Sequence, residues 1–285
     1  MLKTDKIAGV VVLYNPDESV GRNISNYCNQ LDCLYVVDNS EKPNGFIPEK
    51  FIGHTKIKYF QFGENLGIAK ALNIAVHNAI NDGYSFLLTM DQDSTLSNNT
   101  IGEYRKHVVR YNNDEIGILT LRQRVKNFLV HRLDNSTEIV QTAFTSGSLM
   151  NLEAFAKVGP FEEKLFIDYV DHEYCLRLRK MNYKIVRLNS VYCDHQLGNL
   201  ETRKIFGFII PITHHSPLRH YYRTRNRIYV ASLYYRKFPF WVASDIIRFF
   251  YETLIVILFE PQKKIKIIMI LKGFNDCFHG QYGKI

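Results

Sequence analysis

The feature that most constrains this chain is a series of short apolar runs that each end in polar residues. The run Ile7–Tyr14 (IAGVVVLY) stops at Asn15-Pro16, which predicts a strand buried on both faces. A helical pattern follows from Val20 to Leu31, and a second short strand, Leu34–Val37, stops at Asp38. This alternation of strand and helix predicts a βαβ sheet of the α/β class.

The same alternation continues along the chain. Ile57–Phe62 is a third predicted strand, Asn65-Leu66-Gly67 precedes a predicted helix over Ile68–Asn81, and the strand Tyr84–Met90 stops at Asp91-Gln92-Asp93. In open α/β sheets, ligands bind beyond the carboxyl ends of the strands. We therefore expect one shared crevice, formed by the polar residues at these ends: Asn15, Asp38 and Asp91.

The charge of the chain is concentrated after residue 202. From Arg203 to Ile285 there are 14 Lys and Arg against 4 Asp and Glu, a balance of +10; because the whole chain carries +8, residues 1–202 carry −2. The basic residues are mixed with Phe, Tyr, Ile and the only Trp, Trp241, which favours an anionic membrane surface over nucleic acid.

The longest apolar stretch, Phe240–Phe259, is interrupted by Asp245, Arg248 and Glu252. Charges near the middle of a spanning helix are costly. We expect helices that lie on a membrane, or a helical subdomain packed on the body, or an oligomer interface. A polar N-terminus without a secretory pattern and five cysteines without a CxxC pair predict a cytoplasmic protein with reduced thiols.

Asp91-Gln92-Asp93 is the sharpest local chemical feature. Side chains at i and i+2 of an extended segment point the same way, so both carboxylates are expected to face one metal ion or ligand. Mg²⁺ and Mn²⁺ prefer oxygen ligands, commonly one or two carboxylates plus substrate phosphates. The alternative is a polar strand end in which Asp93 or Ser94 caps a helix.

A second acidic segment, FIDYVDHE, precedes a predicted helix over Tyr174–Met181. Asp171 is a candidate general base exposed at the helix start. Asp168 and Glu173 also have a simpler interpretation, because acids near a helix N-terminus stabilise its dipole. Arg177 on the same helix is either solvated or paired with Glu173.

Three further features have weaker signals. His195 follows the predicted strand Lys184–Leu188 and is a candidate metal ligand if it shares the crevice, and structural otherwise. The backbone N–H groups at Asn65-Leu66-Gly67 are placed to face a phosphate, with Lys70 adding charge. The Arg223–Arg227 cluster either holds a diphosphate or lipid phosphate, or is a solvated face.

Taken in order, these segments resemble glycosyltransferase family 2, and within it the bacterial rhamnosyltransferases. The resemblance spans roughly residues 7–230 and rests on VVLYNP, VVDNS, ENLGIAKALN, MDQD, TSGSLM, FIDYVDHEYCLRLRK, HQLG and YYRTRN. It implies the GT-A fold: a doubly wound, mostly parallel α/β sheet with helices on both faces, here followed by a C-terminal helical region. We expect a catalytic domain over 1–215, with a nucleotide-binding half over about 1–95 and an acceptor half over about 96–215, then a basic, aromatic helical region over 216–285.

The resemblance also implies a role for each matching position. Donor binding falls to Asn15, Asp38, Asn65, Gly67, Lys70, Asp91 and Arg225, with Asp38 at the pyrimidine base and Asp91 at the ribose. Asp93 matches the metal-binding acid and His195 a further metal ligand, with Asp91 as an additional candidate. Asp171 matches the catalytic base when Arg177 is aligned with the Arg that follows it, although Val170 stands where many relatives have Glu. The acceptor side comprises Gly147, Ser148, Asp168 and Glu173.

The implied activity is inverting transfer of L-rhamnose from dTDP-L-rhamnose to a lipid-linked saccharide in bacterial cell-surface polysaccharide synthesis, assisted by Mg²⁺ or Mn²⁺. The implied location is the inner face of the plasma membrane, as a peripheral protein; no nucleic acid partner is expected, and a homo-oligomer is an open alternative.

Other donors, namely UDP-galactofuranose, UDP-glucose or UDP-galactose, would use the same fold and mechanism. A nucleotidylyltransferase would need a Gly-rich basic loop after the first strand, where this chain has Asn15-Pro16-Asp17-Glu18. A non-catalytic sugar-nucleotide-binding protein would not need a base such as Asp171.

Overall fold

The computed structural model describes residues 6–42, 54–110, 115–125, 133–195, 201–205 and 208–285. The HQLG turn beyond His195 and the Pro- and Gly-rich loop before Gly53 lie outside these residues. Two compact units are present: a sheet unit, Met1–Glu163 with Asp171–Gln196, and a helical unit, Lys164–Val170 with Leu197–Ile285. The division falls before the predicted boundary at 215, and the short segment Lys164–Val170 groups with the C-terminal residues.

Among the described residues, the sheet unit contains one nine-stranded sheet. Its strands are β1 (Ile7–Leu13), β2 (Cys33–Asp38), β3 (Ile57–Gln61), β4 (Phe86–Asp91), β5 (Ser94–Leu96), β6 (Ile116–Val125), β7 (Thr137–Ile139), β8 (Ser148–Asn151) and β9 (Lys184–His195). The spatial order is β3-β2-β1-β4-β8-β6-β9-β5, and β7 also pairs with β9. β3, β2, β1 and β4 are mutually parallel, as are β6 and β9, whereas β8 is antiparallel to both of its neighbours. β5 and β7 are antiparallel to β9, so six of the nine strands run in one direction, and the expected α/β fold class is confirmed with a mixed sheet.

Helices cover both faces of this sheet. They are α1 (Val20–Tyr27), α2 (Ile68–Asn81), α3 (Thr100–Arg110), α4 (Leu152–Val158) and α5 (Val170–Lys180), whose first residue belongs to the helical unit. Successive side chains of β1 point to opposite faces and all of them are buried, so neither face is open to solvent. α1 and α3 share one apolar core with Val11, and α2 packs on β1 and β2 with residues outside that core.

Two of the element boundaries that differ from the predictions concern candidate site residues. α5 begins at Val170 rather than at Tyr174, so Asp171 and Glu173 lie in its first turn instead of before it. β9 continues beyond Leu188 to His195, because β6 pairs along most of its length and β5 and β7 pair with its two ends. The helix over Ile68–Asn81 has the predicted bounds.

The helical unit contains a hairpin and three helices among its described residues. The hairpin pairs β10 (Glu201–Ile205) with β11 (Phe208–Ile212), and the helices are α6 (Pro217–Tyr234), α7 (Pro239–Phe259) and α8 (Lys263–Phe278). α6 begins where the Ser216 hydroxyl accepts the N–H of Arg219, with Pro217 in the first turn. In the described part of the chain, no helix combines the length and apolarity needed to cross a bilayer.

Candidate active site

The carboxyl ends of β1 and β2 are held together by hydrogen bonds from the residues just beyond them. The N–H of Asn15 donates to Ser40 Oγ at 2.8 Å, and the N–H of Asn39 donates to the carbonyl of Leu13 at 2.7 Å. Asn15 has a left-handed backbone with φ of 43° and is exposed. The two strand ends, and Asp38 between them, therefore meet at one edge of the sheet.

Gln92 joins the end of β4 to the same edge. Its Oε1 accepts the N–H of Tyr14 at 2.8 Å and its Nε2 donates to the Tyr14 carbonyl at 3.2 Å. The Asn23 side-chain amide from α1 donates to the Gln92 carbonyl at 2.9 Å. The middle residue of the DQD segment thus fixes the position of the acids on either side of it.

Asp91 and Asp93 do not lie in one extended strand. β4 ends at Asp91, Gln92 and Asp93 form a turn, and Ser94 begins β5. The prediction that both acids share one extended segment is therefore wrong, and so is the alternative in which Asp93 or Ser94 caps a helix, because the next helix begins at Thr100. Both acids are partly exposed at the edge where β1 and β2 also end.

Asp38 is completely buried, and each of its carboxylate oxygens has a donor from the chain. Oδ1 accepts the N–H of Ser40 at 2.9 Å, and Oδ2 accepts the Tyr59 hydroxyl at 2.6 Å. Burial, and then this hydrogen bond, raises the pKa of Tyr59, so the phenol keeps its proton and acts as the donor. A carboxylate has about four acceptor positions, so Asp38 retains further capacity for a ligand N–H.

Asn39, which the sequence analysis did not single out, connects β2 to the start of α2. Its Nδ2 donates to the Gly67 carbonyl at 3.1 Å, while its buried Oδ1 has no hydrogen-bond partner among the described residues. Gly67 has a φ of 79° at the helix N-cap, and Asn65 Oδ1 accepts its N–H at 3.0 Å. Lys70 is exposed in the first turn. An unsatisfied buried acceptor beside a ligand-binding edge is suited to a ligand N–H or O–H group.

The segment Ala143–Ser148 connects Asp91 to the helix that carries Asp171. Ser146 Oγ accepts the Asp91 N–H at 3.1 Å, and the Ala143 N–H donates to Cys175 Sγ at 3.4 Å. Cys175 lies one helical turn after Asp171, so the two share a face of α5. Asp171 is partly exposed, and its Oδ1 accepts the N–H of His172 at 2.8 Å. The sheet unit thus places Asp171 on the helix face that meets the same segment as Asp91.

Gly147 and Ser148 are buried and build this segment rather than lining a surface for an acceptor. The Ser148 hydroxyl lies 2.5 Å from the Phe144 carbonyl and 3.1 Å from Thr120 Oγ1. Gly147 has a φ of 80°, and a Cβ there would lie 2.9 Å from Leu121 Cδ1. The structure therefore replaces their predicted acceptor role with a structural one.

Glu173 and Asp168 also differ from the acceptor role predicted for them. Glu173 is buried and receives two hydrogen bonds from Arg177, at 3.0 and 2.7 Å, as the pairing alternative proposed. In the helical unit, Asp168 Oδ1 accepts the Arg219 guanidinium at 3.3 and 3.2 Å, and its buried Oδ2 has no partner among the described residues.

Arg225 does not present its charge to a ligand. It is completely buried, and the guanidinium donates to Asn226 Oδ1, Tyr221 Oη and the carbonyls of Gly283, Lys164 and Leu165. The number of these acceptors equals the five N–H donors of a guanidinium group. The prediction that Arg225 binds the donor fails for this reason, and its role is to hold the segment at Lys164 and Leu165.

The acids at the end of β4 suit a hard divalent cation. Antiparallel pairing sets His195 opposite Ser94, the residue after Asp93, although the His195 side chain lies outside the described part. No cluster of three or more His, Cys, Asp or Glu side chains placed to bind a metal occurs among the described residues. Burial raises the pKa of nearby Cys193 to about 12, so this thiol is protonated at neutral pH in the absence of a metal ion. Carboxylates at this position fit a Mg²⁺ or Mn²⁺ site that the substrate phosphates complete.

Comparison with known proteins agrees with this architecture. A family model described as glycosyl transferase family 2 matches residues 10–183. The chain is 30% identical over 235 residues to the dTDP-rhamnosyl transferase RfbF of Shigella flexneri, covering 77% of this chain and 78% of that protein.

Solved structures extend the likeness to the fold. GalNAc-T7, crystallised with UDP, GalNAc and Mn²⁺, matches with a TM-score of 0.62 at 12% identity, over 96% of this chain and 56% of that chain. S. aureus TarS matches with a TM-score of 0.54 at 14% identity, over 96% of this chain and 43% of that chain. This chain therefore spans only about half of the length of these two structures, and at identities this low the similarity shows a shared fold alone.

The GT-A arrangement of sheet and helices is confirmed by these structures. The family match covers most of the sheet unit, from β1 to the end of α5. The relative from Shigella extends the match over three quarters of the chain. The chain belongs to glycosyltransferase family 2 and is a glycosyltransferase.

Proposed function

We propose that this enzyme transfers L-rhamnose from dTDP-L-rhamnose to a lipid-linked saccharide, with inversion of the anomeric carbon in a single displacement. The observation that carries the donor is the 30% identity to a dTDP-rhamnosyl transferase over 77% of the chain. The edge formed by the ends of β1, β2 and β4 supports a bound nucleotide, with Asp38 and Asn39 offering acceptors to the base and Asp91 to the ribose.

Asp171 removes the proton from the acceptor hydroxyl as that oxygen attacks the anomeric carbon. A positioned base of this kind is worth about 10²–10⁴-fold in rate. Asp171 is favoured over its neighbours as the base, because the Glu173 carboxylate is hydrogen-bonded to Arg177 and the Asp168 carboxylate accepts a hydrogen bond from Arg219. Its partial exposure in the first turn of α5 leaves it accessible to an acceptor.

Asp93, with Asp91 and His195 as further ligands, would hold a divalent cation together with the donor diphosphate. A bound Mg²⁺ or Mn²⁺ neutralises the charge that develops on the leaving nucleoside diphosphate. The chain's own contribution is the Gln92 contacts, which fix the turn between the two acids.

The proposed acceptor also implies where the enzyme acts. A lipid-linked saccharide places the enzyme at the inner face of the plasma membrane, as a peripheral protein. The excess of basic residues after residue 202 supports that placement.

The donor is tested by thermal unfolding of the full chain with Mn²⁺ and one nucleotide sugar at a time. A ligand present at 100 times its Kd adds about 2.7 kcal/mol to the free energy of unfolding. We expect dTDP-L-rhamnose to raise the melting temperature more than UDP-galactofuranose, UDP-glucose or UDP-galactose. A larger shift with any UDP-sugar would reject rhamnose while keeping the family mechanism.

A further inference from the structure

The helices α7 and α8 turn charged side chains inward and expose large apolar ones. On α7 the face turned into the helical unit carries Asp245, buried, and Glu252, partly buried, beside the buried apolar residues Val242, Ile255 and Val256. The opposite face carries large apolar side chains that are exposed in the structure, among them Phe240 at 84%, Ile247 at 70% and Phe250 at 66%. A helix packed on a protein in water normally shows the reverse pattern.

α8 repeats this inversion. Its buried residues include Lys266, which donates to buried Glu260 at 2.6 Å, and Asp276, which accepts from Tyr221 at 2.8 Å. Its exposed residues include Ile268 and Leu271. The two helices therefore present adjacent apolar surfaces, contributed by Phe240, Ile247, Phe250, Leu254, Ile257, Leu258, Ile265, Ile268 and Leu271, which we name the outer face.

The four acids after residue 202 are all ion-paired; Asp245, Glu260 and Asp276 are buried, and Glu252 is partly buried. Asp245 pairs with Arg227, Glu252 with Arg223 and Arg227, Glu260 with Lys266, and Asp276 with Lys272. The basic residues beside the outer face are instead exposed: Arg236, Lys237, Arg248, Lys263 and Lys264. The exposed charge of these helices is therefore mainly positive, although their sequence contains both signs.

We infer that the outer face inserts into the headgroup and acyl boundary of an anionic membrane, with α7 and α8 lying in its plane. Apolar side chains bordered mainly by cations complement an anionic lipid surface. A second copy of this chain would bring cation against cation, and a neutral lipid would leave the cations without a partner. The inference depends on the proposed function in one respect only: a lipid-linked acceptor is what would make contact with a membrane useful to the enzyme.

The test uses the full chain and vesicles of phosphatidylcholine, alone or mixed with phosphatidylglycerol. Trp241, the only tryptophan, lies in α7, so its fluorescence reports on this helix without a label. We expect co-sedimentation and a blue shift of Trp241 emission with the anionic vesicles, and much less of either with phosphatidylcholine alone. Equal binding to both vesicles, or to neither, would overturn the inference.

Two sets of variants separate insertion from charge. Ile247→Ser with Phe250→Ser should weaken binding to anionic vesicles by at least about tenfold, and Lys263→Ser with Lys264→Ser by roughly fivefold per charge at low salt. Val109→Ser is the matched control, because Val109 is 73% exposed on α3 of the sheet unit and should leave binding unchanged.

Unchanged binding by the Ile247/Phe250 variant would overturn the inference. So would a lipid-free dimer of the wild type that this variant converts to a monomer, because the outer face would then be an interface between copies. Hydrolysis of dTDP-L-rhamnose in the absence of acceptor, measured on the same proteins, should be unaffected. If none of these proteins, the wild type included, hydrolysed dTDP-L-rhamnose while lipid binding stayed intact, the result would count against the proposed function and not against the role of the outer face.

Discussion

The side-chain amide of Asn226 on α6 donates to the backbone carbonyl of Asp168 at 3.0 Å. The same Nδ2 lies 2.8 Å from the carbonyl of Leu165 and 2.7 Å from that of Ile167. Three acceptors share two hydrogens, so this amide holds the segment by bifurcated bonds. Phe166, Asp168 and Tyr169 all have left-handed backbones, with φ of 62°, 59° and 66°, each disfavoured by about 1–2 kcal/mol. Asn226 therefore stabilises a strained segment that leads directly into the helix of Asp171.

Asn226→Asp should destabilise the protein and lower transfer. The substitution keeps the size of the side chain but turns a donor into an acceptor facing three carbonyls. We expect a loss on the order of 2–3 kcal/mol in the free energy of unfolding. The kcat for transfer should fall more than the donor KM changes. Asn98→Asp, the same change at an exposed position, serves as the control. If the two variants had equal effects on urea unfolding and on the kinetics of transfer, this role of Asn226 would be contradicted.

Asp171→Asn should abolish transfer while donor affinity stays nearly constant. Asn preserves the shape of Asp but accepts no proton, so the loss should reach at least 10²-fold in kcat. Glu173→Gln and Asp168→Asn are the matched comparisons, since both acids are engaged by arginines. A rate for Asp171→Asn above about a tenth of the wild-type rate would assign the base to another residue.

The contrast between Asp171 and Glu173 illustrates how far the sequence could predict the site. The ends of β1, β2 and β4 and the apolar face of α2 follow from local periodicity, and they were predicted within a residue or two. The pairing of Glu173 with Arg177 lies within one helical turn and was an open alternative from the sequence, whereas the acceptors around Arg225 include residues up to 61 positions away. The contacts of Arg225 are set by tertiary packing, and no local pattern encodes them.

The start of α5 was misplaced for a related reason. The non-glycine left-handed residues before Val170 leave no signal of the kind that glycine gives, and their conformation depends on Asn226 and Arg225 from α6. Asn39 was overlooked because an Asp-Asn-Ser turn needs no function, and only its unpaired Oδ1 distinguishes it.

Removal of divalent metal with excess EDTA should stop transfer, and Asp93→Ala should do so with the fold intact. Asp93 lies in the turn beside the strand ends, where its carboxylate can meet a donor diphosphate. His195→Ala should raise the Mn²⁺ concentration needed for half-maximal rate. Asp194→Asn is the control, because Asp194 is held by Arg124. Full turnover in EDTA would reject metal assistance altogether.

Gly147→Ala should destabilise the protein more than Gly83→Ala. Both glycines have a φ of 80°, but a Cβ at Gly147 meets Leu121 Cδ1 at 2.9 Å, whereas nothing lies within 4 Å at Gly83. The difference between the two variants separates the effect of crowding from that of backbone strain. We expect the free energies of unfolding, measured in urea, to differ by about 1–3 kcal/mol. Equal losses of stability in the two variants would mean that the Leu121 side chain moves aside without a cost in free energy.

The helical unit should become less stable as the pH falls below the ordinary range of histidine. Burial, followed by the charges of Arg219 and Arg223 and then of His220 and Lys266, lowers the pKa of His215 to about 3. The unfolded chain then binds a proton between about pH 6.5 and 3 that the folded chain does not, which weakens folding by up to about 1.4 kcal/mol per pH unit.

His215→Gln should flatten this dependence between pH 7.5 and 5, as measured by denaturant midpoints. Part of the slope should persist, because burial also lowers the pKa of His220. His54→Gln, at an exposed site, should leave the slope unchanged. Identical slopes for the wild type and His215→Gln would contradict the assignment.

The grouping of Lys164–Val170 with the C-terminal residues means that the two units are not consecutive modules. The chain leaves the sheet unit, contributes this segment to the other unit, and returns at Asp171. A protein shortened at residue 196 would keep the segment but lose Arg225, Asn226 and Arg227, whose side chains satisfy its carbonyls and the Tyr169 hydroxyl. Exchange of C-terminal regions between related enzymes would therefore have to carry the residues before Asp171 as well, so the two parts of the chain must diverge together.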